Sequence, residues 1–183
     1  NAAQTIQPVN GALKFENLPI YEGSLVTAKY TVDYNNPEKR YVLTSDRADT
    51  TTLTVTVQTS SSDTTTEVFN LARDISKVTS TDRVYFLQEN EDGRFEVYFG
   101  DNVIGKKLAN GNIVILEYIV TNKTEANGAS TFSGTAVGGV SDITIESVAA
   151  ASGGAEPETI QSIKYYAPLN YSAQRRAVTT SDY

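Results

Sequence analysis

The chain has 183 residues, of which 39% are hydrophobic and 20% charged, and it carries a net charge of −7. This length can bury a hydrophobic core, and the acidic balance argues against broad electrostatic binding to nucleic acid or to anionic lipid. Because cysteine and histidine are both absent, disulfides, Cys/His zinc sites and Ser-His-Asp catalysis are excluded. Methionine is absent too, so we interpret the chain as a fragment or a processed product of something longer.

The first third of the chain predicts strands. Residues 23–34 alternate in polarity, as a half-buried strand does. One face carries Leu25, Thr27, Lys29, Thr31 and Asp33, and the apolar face carries Val26, Ala28, Tyr30, Val32 and Tyr34. After a break at Asn35-Asn36-Pro37, a short strand is predicted at 40–43. Residues 50–59 alternate again and are rich in β-branched side chains, which favours a strand whose inward row is Leu53, Val55 and Val57.

The middle of the chain predicts a β-hairpin. Its two strands are residues 84–89 and 94–100, and Asp92-Gly93 closes the turn. The inward row of the second strand is Phe95, Val97 and Phe99. The preceding segment, 72–82, is compatible with a helical turn or a loop. Residues 112–121 contain so few polar side chains that they predict a central strand.

Composition changes after Thr121. A glycine-rich loop is expected there, with at most a short strand at 130–132, and a further strand is predicted at 141–151. A helix is predicted at 157–167, because Glu156-Pro157-Glu158 is typical of a first helical turn and Pro168 of a helix end. We therefore expect a mainly β fold (α+β overall). An antiparallel β-rich module, 1–140, is followed by 141–183, the start of a second α+β domain that the chain does not complete.

The stretch GDNVIGKK, Gly100 to Lys107, is one residue away from a phosphate-binding P-loop. A P-loop needs a buried parallel strand before it, a helix after it and a hydroxyl that binds magnesium. Here the preceding strand alternates, a turn at Asn110-Gly111 leaves no room for a helix, and Lys107 stands at the hydroxyl position. We interpret the stretch as the corner of a β-hairpin in which Gly100 and Gly105 serve tight turns.

Other patterns that carry chemistry are weak. The acidic residues 89–92 lack the spacing of a calcium-binding loop, and nothing singles out a catalytic pair among 22 acidic side chains. Tyr85, Tyr98 and Tyr118 could be outward platforms for a sugar, or simply packing residues. We expect no enzyme activity, and we assign no catalytic, cofactor-binding or metal-binding residue.

Two long segments resemble one known family. They are VYFLQENEDGRFEVYFGDNVIGKKLANGNIVILEYIVTNKTEANGASTF (84–132) and PETIQSIKYYAPLNYSAQRRAVTTSDY (157–183). Both are similar to the large baseplate wedge proteins of T-even-type contractile-tailed phages, which are related to the broader baseplate J-like proteins. The motif positions are Phe99, Gly100, Asp101, Gly105, Gly111, Asn112, Pro168, Gln174, Arg176 and Asp182. Asn102 stands where the family commonly has a second glycine. Asparagine tolerates the left-handed conformation, so we expect the turn to survive.

The resemblance implies a structural role. Such proteins join wedges into a ring around the tail hub through contacts with themselves and with other wedge proteins. The implied location is the tail baseplate of a virion assembled in the host cytoplasm, and we expect no cofactor, no nucleic acid and no membrane among the partners. Two alternatives stay open: a bacterial surface or adhesin-like β-domain, favoured by the Thr/Ser-rich strands and the missing cysteine, and a carbohydrate-binding module.

Overall fold

The computed structural model describes residues 14–36, 40–136, 140–141 and 143–173. Residue contacts group the chain into two compact units that divide between Asn122 and Lys123. The predicted boundary near residue 140 stays a prediction.

In the described part of the first unit, seven strands form one sheet. They are β1 (Ser24–Thr31), β2 (Tyr41–Val42), β3 (Ala48–Gln58), β4 (Thr66–Leu71), β5 (Val84–Glu89), β6 (Phe95–Phe99) and β7 (Ile113–Val120). Their order across the sheet is β1-β7-β3-β4-β5-β6-β2. All neighbours are antiparallel except β4 and β5, which pair in parallel over two residues each. The mainly β, largely antiparallel fold is therefore confirmed.

The core follows the predicted alternation. Val55 and Val57 of β3 and Val97 of β6 are buried, as expected for inward rows. β7 lies between β1 and β3, which confirms a central strand. The other fully or nearly buried side chains are Val32, Leu43, Phe69, Tyr85, Leu108, Val114, Leu116 and Tyr118.

Aromatic contacts bring distant strands of the sheet together over this core. Tyr41 makes edge-to-face contacts with Tyr30 and Phe99, at ring-centroid distances of 5.9 and 5.7 Å, and Phe69 contacts Phe99 at 5.4 Å. The Tyr30 hydroxyl donates to the Val42 carbonyl over 2.6 Å. Side chains of β1 and β2, the first and last strands in the order, therefore meet, so the sheet curls around its apolar face.

Two local features add to the prediction: a register shift that was not expected, and a helical turn that was one of two alternatives. The pairing of β3 with β7 changes register between Asp49 and Thr54, where the Thr52 hydroxyl accepts a hydrogen bond from the Ile119 amide. The segment 72–82, left open between a helical turn and a loop, contains a 3-10 turn at Ile75–Lys77. The Asp74 carboxylate caps this turn by accepting from the Ser76 amide over 3.1 Å.

The second unit contains a 3-10 turn, Lys123–Ala126, and the helix α1, Ile160–Ala173. The strand predicted at 141–151 is wrong, since the described residues there form no strand, and 130–132 form none either. Within the described residues, no strand pairs with this segment, and Val148 is 82% exposed. Irregular contacts hold this region instead: the Ala151 amide donates to the Ala129 carbonyl over 2.7 Å, and the Gly128 amide donates to the Ala151 carbonyl over 2.8 Å.

A single helix was predicted correctly, but its bounds were not. α1 begins at Ile160, with the Thr159 hydroxyl accepting from the Ser162 amide over 3.3 Å, so Glu156-Pro157-Glu158 precede it. Pro168 lies inside the helix rather than at its end. A proline in a helix removes only one amide donor and commonly kinks the helix instead of ending it. No helix within the described residues is long and apolar enough to cross a membrane.

Candidate functional site

Five of the predicted motif positions lie in one segment, residues 100–112, which we call the motif loop. The loop leaves β6 after Phe99 and enters β7 at Ile113. β6 pairs with β5 and β2, whereas β7 pairs with β1 and β3. The loop is therefore a crossover between separate parts of the sheet, and the predicted hairpin corner is wrong in this respect. No helix follows it, so the phosphate cradle of a P-loop is not formed.

The first turn of the motif loop depends on two glycines that touch each other. A Cβ added to Gly100 would lie 2.2 Å from the carbonyl carbon and oxygen of Gly105 and 2.4 Å from the Ile104 oxygen. Gly105 itself has a φ of +85°, in the left-handed region. The predicted tight turn is confirmed at Gly105, whereas Gly100 is required by its close approach to the Gly105 backbone.

Asp101 and Asn102 close this turn with their side chains. The Asp101 carboxylate accepts from the Val103 and Ile104 amides over 2.9 and 3.0 Å. These bonds favour the charged carboxylate and lower its pKa. Asn102 has a φ of +72°, as expected for an asparagine in place of glycine, and its side-chain oxygen accepts from the Lys107 amide over 2.9 Å.

The loop is fastened to the segment that precedes β5. The Gly105 amide donates to the Thr79 carbonyl over 3.0 Å, and the Lys106 amide donates to the Asp82 carbonyl over 2.8 Å. The Asp82 carboxylate in turn accepts from the Thr79 amide over 2.7 Å, which lowers the pKa of that carboxyl. Sequence analysis missed these anchors, although Thr79 and Asp82, three residues apart, are a common side-chain-closed turn.

The second turn of the motif loop fixes the start of β7. Gly111 has a φ of +87°, and its amide donates to the Val32 carbonyl over 2.9 Å. The Asn112 side chain accepts from the Ala109 amide over 2.7 Å and donates to the Thr59 carbonyl over 2.8 Å. Asn112 therefore ties the loop to the end of β3, which gives this motif position a structural role.

Lys106, the lysine of the P-loop-like sequence, is engaged in an ion cluster. Its Nζ lies 2.5 Å from Oε2 of Glu67 on β4, and the Arg83 guanidinium lies 2.9 Å from Oε1 of the same carboxylate. The hydrogen bond from Lys106 is the main reason that the pKa of Glu67 is lowered, and the Arg83 charge adds to it. The cluster ties the loop to β4 and leaves this lysine already paired.

A shallow cleft of about 180 Å³ opens between the motif loop and β6. On one side, the Lys107 ammonium lies 4.9 Å from the centre of the Tyr34 ring, a cation–π distance. The Tyr34 hydroxyl donates to the Leu108 carbonyl over 2.8 Å. Tyr34 was predicted on the apolar face of the first strand, but β1 ends at Thr31. Tyr34 is therefore half exposed, and it contacts the motif loop instead of the core.

Two residues that line the cleft, Arg40 and Tyr98, contact the carboxylate of Glu96. Glu96 accepts from the Tyr98 hydroxyl over 2.5 Å and from the Asn90 side chain over 3.1 Å, and the Arg40 Nε lies 3.8 Å away. The Tyr98 bond is the largest cause of a lowered pKa at Glu96, and the same bond raises the pKa of Tyr98. This carboxylate is satisfied by its neighbours, so the arrangement is typical of a structural contact.

Two of the three tyrosines considered as platforms for a sugar are buried. Tyr118 is 0% exposed and Tyr85 only 5% exposed, so neither can receive a ligand on its ring. The Tyr118 hydroxyl instead accepts from the Thr44 amide over 2.9 Å. The reason is register, since both residues occupy inward positions of their strands.

At its tip the motif loop exposes two neighbouring apolar side chains, beside the exposed polar residues Asp101, Asn102 and Lys107. Val103 at its tip is 72% exposed and Ile104 is 41% exposed, on a backbone fixed by the hydrogen bonds above. An ordered loop with an apolar tip suits protein–protein contact, because little conformational entropy is lost on binding. Among the described residues, no cluster of three or more carboxylates is placed to hold a metal ion.

The remaining motif positions do not join this site. Phe99 is the last residue of β6 and packs edge-to-face with Phe69 and Tyr41. Pro168 belongs to α1 in the second unit. Gln174, Arg176 and Asp182 lie outside the described residues, so the roles expected for them stay predictions.

Comparisons with known proteins give one informative relative. No protein-family model matches the chain. The baseplate wedge protein gp6 of Enterobacteria phage T4 is 30% identical over 129 residues. The alignment covers 57% of this chain but only 19% of gp6, so the chain spans about a fifth of that relative's length. The similarity supports a baseplate-related relationship for this chain.

Proposed function

We propose that this chain is a structural module of a phage tail baseplate that joins wedge subunits by protein–protein contacts. The observation that carries the proposal is the 30% identity to baseplate wedge protein gp6 across more than half of the chain. The proposal includes three further points. They are ring formation around the hub, contacts of the chain with itself and with other wedge proteins, and assembly in the host cytoplasm. We propose no catalytic role.

The geometry of the motif loop suits such a role. Val103 and Ile104 stand on a loop whose backbone is held by Asp101, Asn102 and the Thr79–Asp82 turn. Covering an exposed valine or isoleucine side chain removes apolar area from water and contributes about 1.5–3 kcal/mol when burial is complete. We therefore place a wedge-protein contact at this tip.

Immunoelectron microscopy of virions from the parent phage tests the location. Antibodies raised against the chain are expected to label the baseplate end of the tail. Label on the bacterial surface, with none on the virion, would favour the adhesin alternative and refute the baseplate proposal.

Co-purification with the other wedge proteins of the same phage tests the contact surface. Val103→Asp is expected to weaken capture of a wedge partner, because it places a charge at the centre of the apolar tip. Ile75→Asp is the matched control, since Ile75 is also an exposed apolar residue but belongs to the 3-10 turn Ile75–Lys77, outside the motif loop. Equal capture by both variants and by the unmodified chain would remove the tip from the interface.

A further inference from the structure

Strand β1 is an open edge of the sheet. All eight of its residues pair with β7, from Ser24 opposite Val120 to Thr31 opposite Ile113. Within the described residues, no strand lies on its other side. The opposite edge of the sheet, β2, is only two residues long. An edge of eight residues is long enough to template pairing with another chain.

The alternation of backbone hydrogen bonds along β1 shows which residues direct their N–H and C=O groups away from β7. Just beyond β1, the Val32 amide donates to the Asn112 carbonyl over 2.8 Å, so Val32 directs its backbone groups toward β7. Backbone groups alternate along an antiparallel strand, so the even-numbered residues of β1 do the same. The odd-numbered residues Leu25, Thr27, Lys29 and Thr31 therefore direct their N–H and C=O groups outward, two groups from each of four residues.

A second copy of β1 matches this edge when it runs antiparallel with Ala28 on the two-fold axis. Leu25 then lies opposite Thr31 of the second copy, and Thr27 lies opposite Lys29 of the second copy. Every outward amide and carbonyl finds a partner in this register, since β1 contains no proline. Leu25, which is 72% exposed, gains cover from the threonine opposite.

Charge favours the same register. A lysine on an edge strand commonly discourages pairing. Here Lys29 of the second copy would lie beside Thr27, whose hydroxyl donates to Glu117 over 3.4 Å. Thr27 and Glu117 are register partners, so their side chains share one face of the sheet. The acid is therefore placed to attract the incoming lysine, and the two-fold axis repeats the contact.

We propose that two copies of this chain associate through antiparallel pairing of their β1 strands, centred on Ala28, to form one continuous sheet. The baseplate proposal already includes contacts of the chain with itself, and this inference adds the strand and the register of one such contact, which can be measured on the chain by itself in solution. A failure of the baseplate proposal would leave it intact.

Cysteine cross-linking of the 183-residue chain tests the register. The sequence has no cysteine, so one introduced thiol can form only one disulfide, between two copies. Ala28→Cys places the thiols opposite each other at a non-hydrogen-bonded pair, where Cα atoms are about 4.5 Å apart and a disulfide can form. Ser24→Cys is the control: in this register the two thiols lie eight residues apart along the strand, roughly 26 Å.

Mild oxidation is expected to yield a disulfide-linked dimer from the Ala28→Cys protein and little from the Ser24→Cys protein. Equal cross-linking of both variants would overturn the proposed register. No cross-linking of either one, in a chain that circular dichroism shows to be folded, would overturn the interface.

Analytical ultracentrifugation tests the energetics. Thr27→Pro removes an outward amide without touching the bonds to β7, and is expected to raise the dimer dissociation constant about fivefold or more. Thr27→Val keeps the amide and the β-branched shape and should leave dimerisation nearly unchanged. Lys29→Glu is expected to weaken the dimer, and adding Glu117→Lys to it should restore association. A dimer that is indifferent to Thr27→Pro and to the charge exchange would show that another surface, such as the exposed face of α1, holds the copies together.

Discussion

Replacement of Gly100 by alanine is expected to destabilise the first unit strongly. The added Cβ would lie 2.2 Å from the Gly105 carbonyl carbon and oxygen, closer than real Cβ atoms approach. These are backbone atoms, so no change of rotamer can relieve the clash. Overpacking costs 1–3 kcal/mol in general, and we expect about 3 kcal/mol here because the loop backbone itself must move.

Such a loss is a large share of the roughly 5–15 kcal/mol that stabilises a typical domain. It corresponds to a fall in Tm of about 10 °C. Urea unfolding followed by far-ultraviolet circular dichroism measures the loss, since the chain has no tryptophan to report it by fluorescence. Hydrogen exchange should also accelerate at the amides of Gly105 and Lys106, which hold the loop to Thr79 and Asp82.

Gly111→Ala is the matched control. Gly111 has a φ of +87°, but no described atom lies within 4 Å of an added Cβ. Alanine there suffers only the left-handed strain, about 1 kcal/mol. If Gly100→Ala costs no more than Gly111→Ala, close packing of Gly100 against Gly105 is not what requires a glycine, and the reasoning fails.

Three further predictions concern the core, the ion cluster and the P-loop-like sequence. Leu116→Ala should lower the free energy of unfolding by about 2–5 kcal/mol, and Leu25→Ala by less than about 0.5 kcal/mol, because the first side chain is fully buried and the second exposed; equal losses in urea unfolding would contradict this burial. The pKa of Glu67 is lowered in the folded state, so its contribution to stability is present above the unfolded pKa and is lost as pH falls through the folded pKa. Between neutral and acidic pH, the free energy of unfolding should fall less in Glu67→Gln than in the unmodified chain. An equal fall in both proteins would show that Glu67 does not contribute to the acid sensitivity. ATP and GTP should leave the amide chemical shifts of residues 100–107 unchanged, whereas saturable shifts of these amides that are abolished by Lys106→Ala would restore the nucleotide-site interpretation.

Strand positions and faces were largely predictable because they depend on the alternation of apolar and polar residues that are close in sequence. Val55 and Val57 alternate with threonines, and Phe95, Val97 and Phe99 with polar residues, so each strand carries its own inside and outside. Turn chemistry was equally local. Asn102 adopts the left-handed conformation that an asparagine in a glycine position predicts.

The wrong predictions concern elements whose formation depends on the rest of the structure and not on local sequence alone. Residues 141–151 alternate like a strand, but a strand forms only when its backbone groups pair regularly with a neighbouring strand. The described residues there make irregular contacts instead, such as the bond from the Ala151 amide to the Ala129 carbonyl. Pro168 was expected to end the helix by local propensity, yet α1 continues through it. Propensity is a weak prior that the rest of the structure can override.

In the candidate site too, local features were predictable and long-range contacts were not. The glycines and asparagines of the motif loop were recognisable as turn residues from the sequence. The anchoring of Gly105 to Thr79, and of Lys106 to Glu67 on β4, could not be read from it, because these pairs are far apart along the chain. The same holds for Tyr34, whose position beside Lys107 follows from the end of β1 and not from its strand-like spacing.

By itself, the sequence determined the mainly β class, the inward rows of the strands and the turns of the motif loop, since each depends on neighbouring residues and on backbone sterics. Only the tertiary structure decided the strand order β1-β7-β3-β4-β5-β6-β2, the parallel pairing of β4 with β5 and the open edge at β1. Strand order is set by which apolar faces can be buried together, and the outward row of β1 stays open because no described strand continues the sheet beyond it.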